Sequence, residues 1–252
     1  MTTASRRLMM AVWLLGWVHS TSAQTADDVV EQHLAAIGGR AALGKLKSRS
    51  MTGTITVSTQ GGDVSGLIEI LDQEPNRSRT LVTLDLSALG AGQMILDQRF
   101  DGTSGYIIDS LRGNRDMTGS QLDTMRNGAF PNPYLHYREL GGTLELRGTE
   151  TVGERDAYVL IFTSKTGTVG RQYIDAASFL PIKSVVKIED PQVGEIEQTT
   201  EFLDYQDVDG VKVPLQVKAT NAFQSSTITI TKVEHNVTID ETLFSKPAAG
   251  GP

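Results

Sequence analysis

Residues 171–221 read RQYIDAASFLPIKSVVKIEDPQVGEIEQTTEFLDYQDVDGVKVPLQVKATN and decide the fold. Three strand-like runs follow one another here, joined by turn signals. In the first, Ile182, Ser184, Val186 and Ile188 share one face, with Lys183 and Lys187 on the other. In the second, Ile196 and Phe202 oppose Glu195, Glu197 and Glu201. After Asp209-Gly210, Val211, Val213, Leu215, Val217 and Ala219 alternate with Lys212, Gln216 and Lys218. A period of two over successive runs predicts an antiparallel sheet with one apolar and one wet face. The functional question is what covers the apolar face.

Similar runs extend in both directions. Upstream lie 144–149 and 157–164, and before them 51–59, 64–71, 77–86, 93–100 and 105–110; downstream lies 226–233. Gly61-Gly62, Pro75-Asn76 and Asp101-Gly102 supply turns. Near the start, Thr25 predicts an N-cap with Asp27 and Asp28 in the first helical turn. Val29, Val30, His33, Leu34 and Ile37 share a face, and Gly38-Gly39 is the stop. Residues 41–46 add a further turn. In the middle, 120–127 and 133–140 are expected to be helical, separated by Pro131-Asn132-Pro133. About ten strands at hairpin spacing must curl or close. The expected class is α+β, mainly β: a single strongly curved antiparallel sheet, an open half-barrel, with a few helices covering its concave apolar face.

The chain has 252 residues, a net charge of −7 and no cysteine. The acidic balance argues against nucleic acid as a partner. The lack of cysteine removes disulfides, thiolate metal sites, cysteine nucleophiles and the lipid-modified cysteine of a lipoprotein. Arg6 and Arg7, the apolar stretch 8–18 and Thr21-Ser22-Ala23 predict a cleavable signal peptide over 1–23 and a periplasmic protein. Residues 24–246 are then one domain and 247–252 a flexible tail.

Motif by motif, the structural account is the stronger one. With Gly210 placed as the sixth residue of a calcium loop, Tyr205 and Gln216 fall where acids are required. A hairpin turn through Asp209-Gly210 is the better account of Asp204, Asp207, Asp209 and Gly210. His33, His136 and His235 never approach zinc-ligand spacing, and His33 lies on an apolar helix face. Gly102-Thr103-Ser104-Gly105 lacks the spacing and context of a nucleophile elbow, and Gly90-Ala91-Gly92 is a turn rather than a phosphate loop. Asp190, Glu195, Glu197 and Glu201 form a solvated face. The sequons at Asn76 and Asn236 carry no meaning in a bacterial envelope. No catalytic, metal or cofactor residue is assigned, and no enzyme is expected.

Short landmarks spread over the chain carry a resemblance. They are Gly53 at a strand start, Pro75-Asn76-Arg77-Ser78-Arg79, Phe100-Asp101-Gly102, and Tyr173-Ile174-Asp175 followed by Leu180-Pro181-Ile182. The block 204–214 and the ending from Asn236-Val237 to Leu243-Phe244-Ser245-Lys246-Pro247 complete the set. Together they resemble the periplasmic lipoprotein-sorting superfamily, the LolA/LolB-like carriers. The resemblance implies helices lying as a lid across a curved sheet, with acyl chains in the apolar space between. Arg79 matches the strand arginine after the family's turn, where it either holds the lid or pairs on the sheet. The 120–140 insertion departs from the carriers.

The expected apolar lining is Val57, Leu67, Ile70, Leu84, Phe100, Tyr106, Leu122, Met125, Tyr134, Phe202, Val213 and Leu215, with Arg79, Pro131 and Pro133 as lid or polar contacts. The expected partners are a lipid or acylated lipoprotein and a membrane docking protein, and the chain is expected to be a monomer. The alternative is a protein-interaction or envelope-stress sensing module on the same fold, its cavity packed shut.

Overall fold

The computed structural model describes residues 24–190 and 194–248. The expected signal peptide and residues 249–252 of the expected tail lie outside the described residues.

Helix α1 (Ala26–Ala36) begins where Thr25 predicts it. The Thr25 hydroxyl accepts from Asp28 N, and the Asp28 carboxylate accepts from Thr25 N, a reciprocal capping box. Val29, Val30, His33 and Leu34 are buried along one side. The helix stops at Gly38, where φ is 129° and an added Cβ would lie 2.3 Å from the Gly210 carbonyl oxygen. The Ile37 carbonyl accepts from Lys212 N at 3.0 Å, which pins the helix end to the sheet. Helix α2 (Gly39–Leu43) buries Leu43.

The strands are β1 (Ser48–Thr59), β2 (Gly62–Gln73), β3 (Arg77–Asp85), β4 (Gln93–Phe100), β5 (Gly105–Asp109), β6 (Arg115–Asp116), β7 (Thr143–Val152), β8 (Arg155–Thr163), β9 (Val169–Asp175), β10 (Pro181–Asp190), β11 (Gly194–Val208), β12 (Val211–Thr220) and β13 (Gln224–His235). They form one antiparallel, thirteen-stranded sheet in the order β6-β5-β4-β3-β2-β1-β13-β12-β11-β10-β9-β8-β7, open between its edges β6 and β7. The open curved sheet is as expected, with more strands than ten. The surplus comes from the two-residue β6 and from β9, whose Val169-Gly170-Arg171-Gln172 start does not alternate.

Helix α3 (Gly119–Asn127) lies between β6 and β7. The second expected helix, 133–140, is replaced by a 3-10 turn, Pro133–Leu135, followed by single turns. Asn132 caps that short turn by accepting from Tyr134 N, and Gly141 at φ 80° ends the segment before a longer helix can propagate.

Side chains alternate between an inner face, toward α1, and an outer face. Across the first strands the inner rows are Gly53–Ile68–Val82–Leu96 and Ile55–Gly66–Leu84–Met94. A Cβ on Gly53 would lie 2.1 Å from Thr229 O and one on Gly66 1.9 Å from Thr83 O. Neighbouring backbone folds over these two positions, which lets the sheet bend tightly there. One face assignment is corrected. A bulge between Pro181 and Lys183 turns Ile182 to the outer face, where it joins Ala157, Val159 and Tyr173, while Ser184 stays on the inner row through Gln172 and Leu160.

The Asp209-Gly210 turn joins Val208 to the paired Val211, with positive φ at both turn residues, and Asp207 accepts from Gly210 N. This end, with α1, is the lower end. The β1–β2 turn marks the upper end.

Candidate binding surface

The lower half of the inner face is filled. Val29, Val30 and Leu34 of α1 pack with Met51, Leu160, Ile174, Val211, Val213 and Ile230, and Phe130 and Tyr134 of the insertion join the same core. Ile70 and Leu215 lie at its margin. Val213 and Tyr134 therefore belong to the core that holds α1, and Ile70 and Leu215 pack against its edge.

The upper half is built differently. Ile55, Val64, Ile68, Val82 and Leu84 form a second cluster, edged by Val57, Ile70, Leu86, Met94, Leu96 and Ile228. No helix residue belongs to it. Phe202 pairs with Val217, and Val217 with Ile228, so the apolar wall continues to the other half of the sheet. Val57, Leu84 and Phe202 thus share one upper inner wall, Val57 and Phe202 only half-buried. Phe100, completely buried, lies on the inner row of β4 at the lower end.

Three expected residues lie elsewhere. Leu67 pairs with Thr54 and Thr83 on the outer face and is 66% exposed. In Leu67-Ile68-Glu69-Ile70-Leu71 both parities carry apolar residues, so alternation alone does not assign the face. Tyr106 pairs with Arg99 on the outer face, beneath the Lys246 ammonium at 4.5 Å. Arg79 is also outward. Its guanidinium grips both Asp97 carboxylate oxygens at 2.8 and 2.9 Å and reaches Glu69, while Arg99 shares Asp97. Burial pushes the Asp97 carboxyl up, but the bonds from Arg79 and Arg99 outweigh it and hold it below the usual range. Of its two candidate roles, Arg79 performs sheet pairing.

The C-terminal segment, missed as an element, covers this network. Ser48 Oγ donates to Val237 O, Arg77 pairs with Glu241 at 2.8 Å, and Arg99 donates to Ser245 O. Phe244 is buried, and Lys246 pairs with Asp116 at 2.9 Å. Both sequon asparagines serve structure. Asn236 accepts from Lys47 N, and Asn76 donates to the Met125 and Arg126 carbonyls.

Through Asn76 helix α3 is held to the β2–β3 turn, and α3 also lies against β10. Leu122 and Met125 are half-buried on it. Beyond it, Arg49, paired with Asp72 at 2.7 Å, lies 5.5 Å from the centre of the Phe130 ring. Pro131 and Pro133 flank Asn132, whose amide approaches His33 Nε2 at 3.3 Å. Tyr137 donates to Asp27 at 2.7 Å, and Arg138 pairs with the same carboxylate.

His33 is the buried centre of these contacts. Its Nδ1 lies 3.0 Å from Phe179 O, which can only accept, so Nδ1 carries the proton and Nε2 receives the Asn132 amide. Tyr134 meets its ring edge-on at 5.6 Å. Burial, partly opposed by the Phe179 bond, lowers its pKa to about 4. Two open depressions, of about 530 and 320 Å³, lie along the polar side of α1, one by Asp28, Gln32 and Phe179 and the other by Arg40 and 134–139. Their charged linings suit water rather than an acyl chain.

No family model and no curated protein matches this sequence. Solved structures match its fold. A LolA superfamily protein from Nitrosomonas europaea aligns with a TM-score of 0.57 over 89% of this chain and 99% of its own, at 13% identity. A putative outer membrane lipoprotein-sorting protein domain from Vibrio parahaemolyticus aligns with a TM-score of 0.58 over 87% and 97%, also at 13% identity. A DUF1329 family protein from Desulfovibrio piger gives 0.57 over 87% and 97%, at 12% identity. The chain shares the fold of these LolA superfamily and lipoprotein-sorting structures.

Proposed function

We propose that this chain is a non-enzymatic periplasmic carrier or binding protein for lipid or lipoprotein acyl chains. The observation that supports this reading most is the upper inner wall, an apolar surface of strand residues to which no helix contributes. The shared fold with a lipoprotein-sorting domain points the same way. Burying an acyl chain gains about 0.8 kcal/mol per methylene, so a sixteen-carbon chain gains on the order of 12 kcal/mol before ordering costs. A wall open on one side captures part of this, which keeps release accessible. Lid contacts through Asn76, Asn132 and Tyr137 are polar and can exchange with water. The test is mass spectrometry of organic extracts from protein purified without detergent. A stoichiometric lipid or fatty acid supports the carrier. An empty protein that also refuses a fluorescent lipid sinks it.

The packing of α1 into the lower inner face favours a second reading, an interaction or stress-sensing module on the same scaffold. That reading predicts the empty result.

A further inference from the structure

The inner face is not apolar throughout. Leu160, Gln172, Ser184, Thr200 and Ala219 pair in turn across β8 to β12, and the row continues through Ser226 to Val57 of the upper wall. On β1 this row is apolar. On β9, β10 and β11 it carries an amide and two hydroxyls, and Gln198 stands one step above, paired with Val186. Gln172, Ser184, Gln198 and Thr200 are all half-buried, and their side chains form no hydrogen bond among the described residues. None of their polar atoms is sealed from solvent.

Charge is missing from this region. Val186 above the row and Phe202, Val217 and Ile228 below it are apolar, while Lys183, Lys187, Glu197, Glu201 and Lys218 take the alternate positions on the outer face. Helix α3, which lies against β10, has two charged residues, Asp123 and Arg126, and these pair with each other at 3.5 Å. Arg49 and Arg115, cations on the inner rows of β1 and β6, are held by Asp72 and Asp109.

We infer that the half-barrel selects amphiphiles with an uncharged, hydroxyl-bearing head, of the acylglycerol class. The head lies on the Gln172, Ser184 and Thr200 row and the acyl chain on the upper wall. Amides and hydroxyls both donate and accept, so they match a glycerol hydroxyl or an ester carbonyl. A carboxylate or phosphate moved from water onto this face finds no unpaired cation on these rows to offset its lost hydration. Ser184 and Val57 are four strand spacings apart, about 19 Å along the sheet, a span that one acyl chain covers. The inference rests on the carrier reading and adds a head-group preference to it.

The test is equilibrium dialysis of the chain from Gln24, which contains every described element, against radiolabelled probes that share one oleoyl chain. These are monooleoylglycerol, oleate and oleoyl-lysophosphatidylglycerol, each below its micellar concentration. Monooleoylglycerol should bind about tenfold or more tighter than either anion. Thr200→Lys, at a half-buried position where the ammonium can reach water, should reverse the order of monooleoylglycerol and oleate. Ser184→Ala/Thr200→Val should lose about threefold or more for monooleoylglycerol and leave oleate unchanged. Melting temperatures check that both variants fold, and the parent chain's order decides the question if one does not. Anions that bind the parent chain as tightly as monooleoylglycerol, or a folded Thr200→Lys variant with the parent's order, overturn the inference and leave the carrier reading in place. If none of the probes binds, the carrier reading and the inference fall together.

Discussion

His33 ties α1, the β9–β10 connection and the segment around Asn132 together as a neutral imidazole. Its pKa in the fold is about 4, against an ordinary value of 6.5. Between those values the unfolded chain takes up a proton that the folded chain refuses. Stability is therefore complete above about pH 6.5 and falls by about 3 kcal/mol as pH drops toward 4. The carboxylates held low by hydrogen bonds, Asp27, Asp97 and Asp175, lose their contribution only below their ordinary value of 3.8. The two windows separate. Melting temperature measured from pH 7 to pH 4.5 should decline in the parent chain and stay nearly flat in His33→Gln, at a lower starting value. An equal slope in both would place the titrating group elsewhere. The apolar neighbours of His33 in the sequence announced the burial of this side chain; its partners, more than ninety residues away, were not legible.

At the scale of elements, legibility followed how local the cause is. The Thr25–Asp28 cap and the Asp209-Gly210 turn are short-range chemistry and stand as the sequence predicts them. The outward turn of Ile182 depends on a bulge set by pairing with β9, and the outer position of Arg79 follows from its pairing with Leu71 and Arg99. Helix α3 belongs to this middle scale. Asn76 donates to the Arg126 carbonyl at 2.9 Å, so this contact ties α3 to the β2–β3 turn. The chain has no cysteine of its own, so the cysteines of Asn76→Cys/Arg126→Cys can be joined selectively by a short bis-methanethiosulfonate cross-linker. Cross-linked, this variant should hold its cargo in unchanged amount but exchange it about tenfold more slowly, with reduction restoring the rate. Unchanged exchange would mean that α3 does not gate the wall.

Over the whole molecule, the sheet presents one continuous inner face with two fates: its lower half is filled by α1, and its upper half carries a strand cluster to which no described helix residue contributes. That division changes what the expected lining residues should do. Phe202 and Leu215 were equivalent in the sequence, both on apolar runs of adjacent strands. In the structure both are half-buried, Leu215 at the margin of the α1 core and Phe202 beside Val217 on the upper wall. A glutamate in place of Leu215 would put a charge at the edge of that core and should destabilise the fold by about 1–3 kcal/mol. Phe202→Glu can turn its carboxylate to water, so it should melt within a few degrees of the parent chain and lose lipid uptake. Calorimetry and fluorescent-lipid titration on both variants distinguish the readings. If Phe202→Glu folds and still binds, the acyl chain does not lie on the upper wall; if both variants unfold, that wall is core and the scaffold belongs to the interaction module.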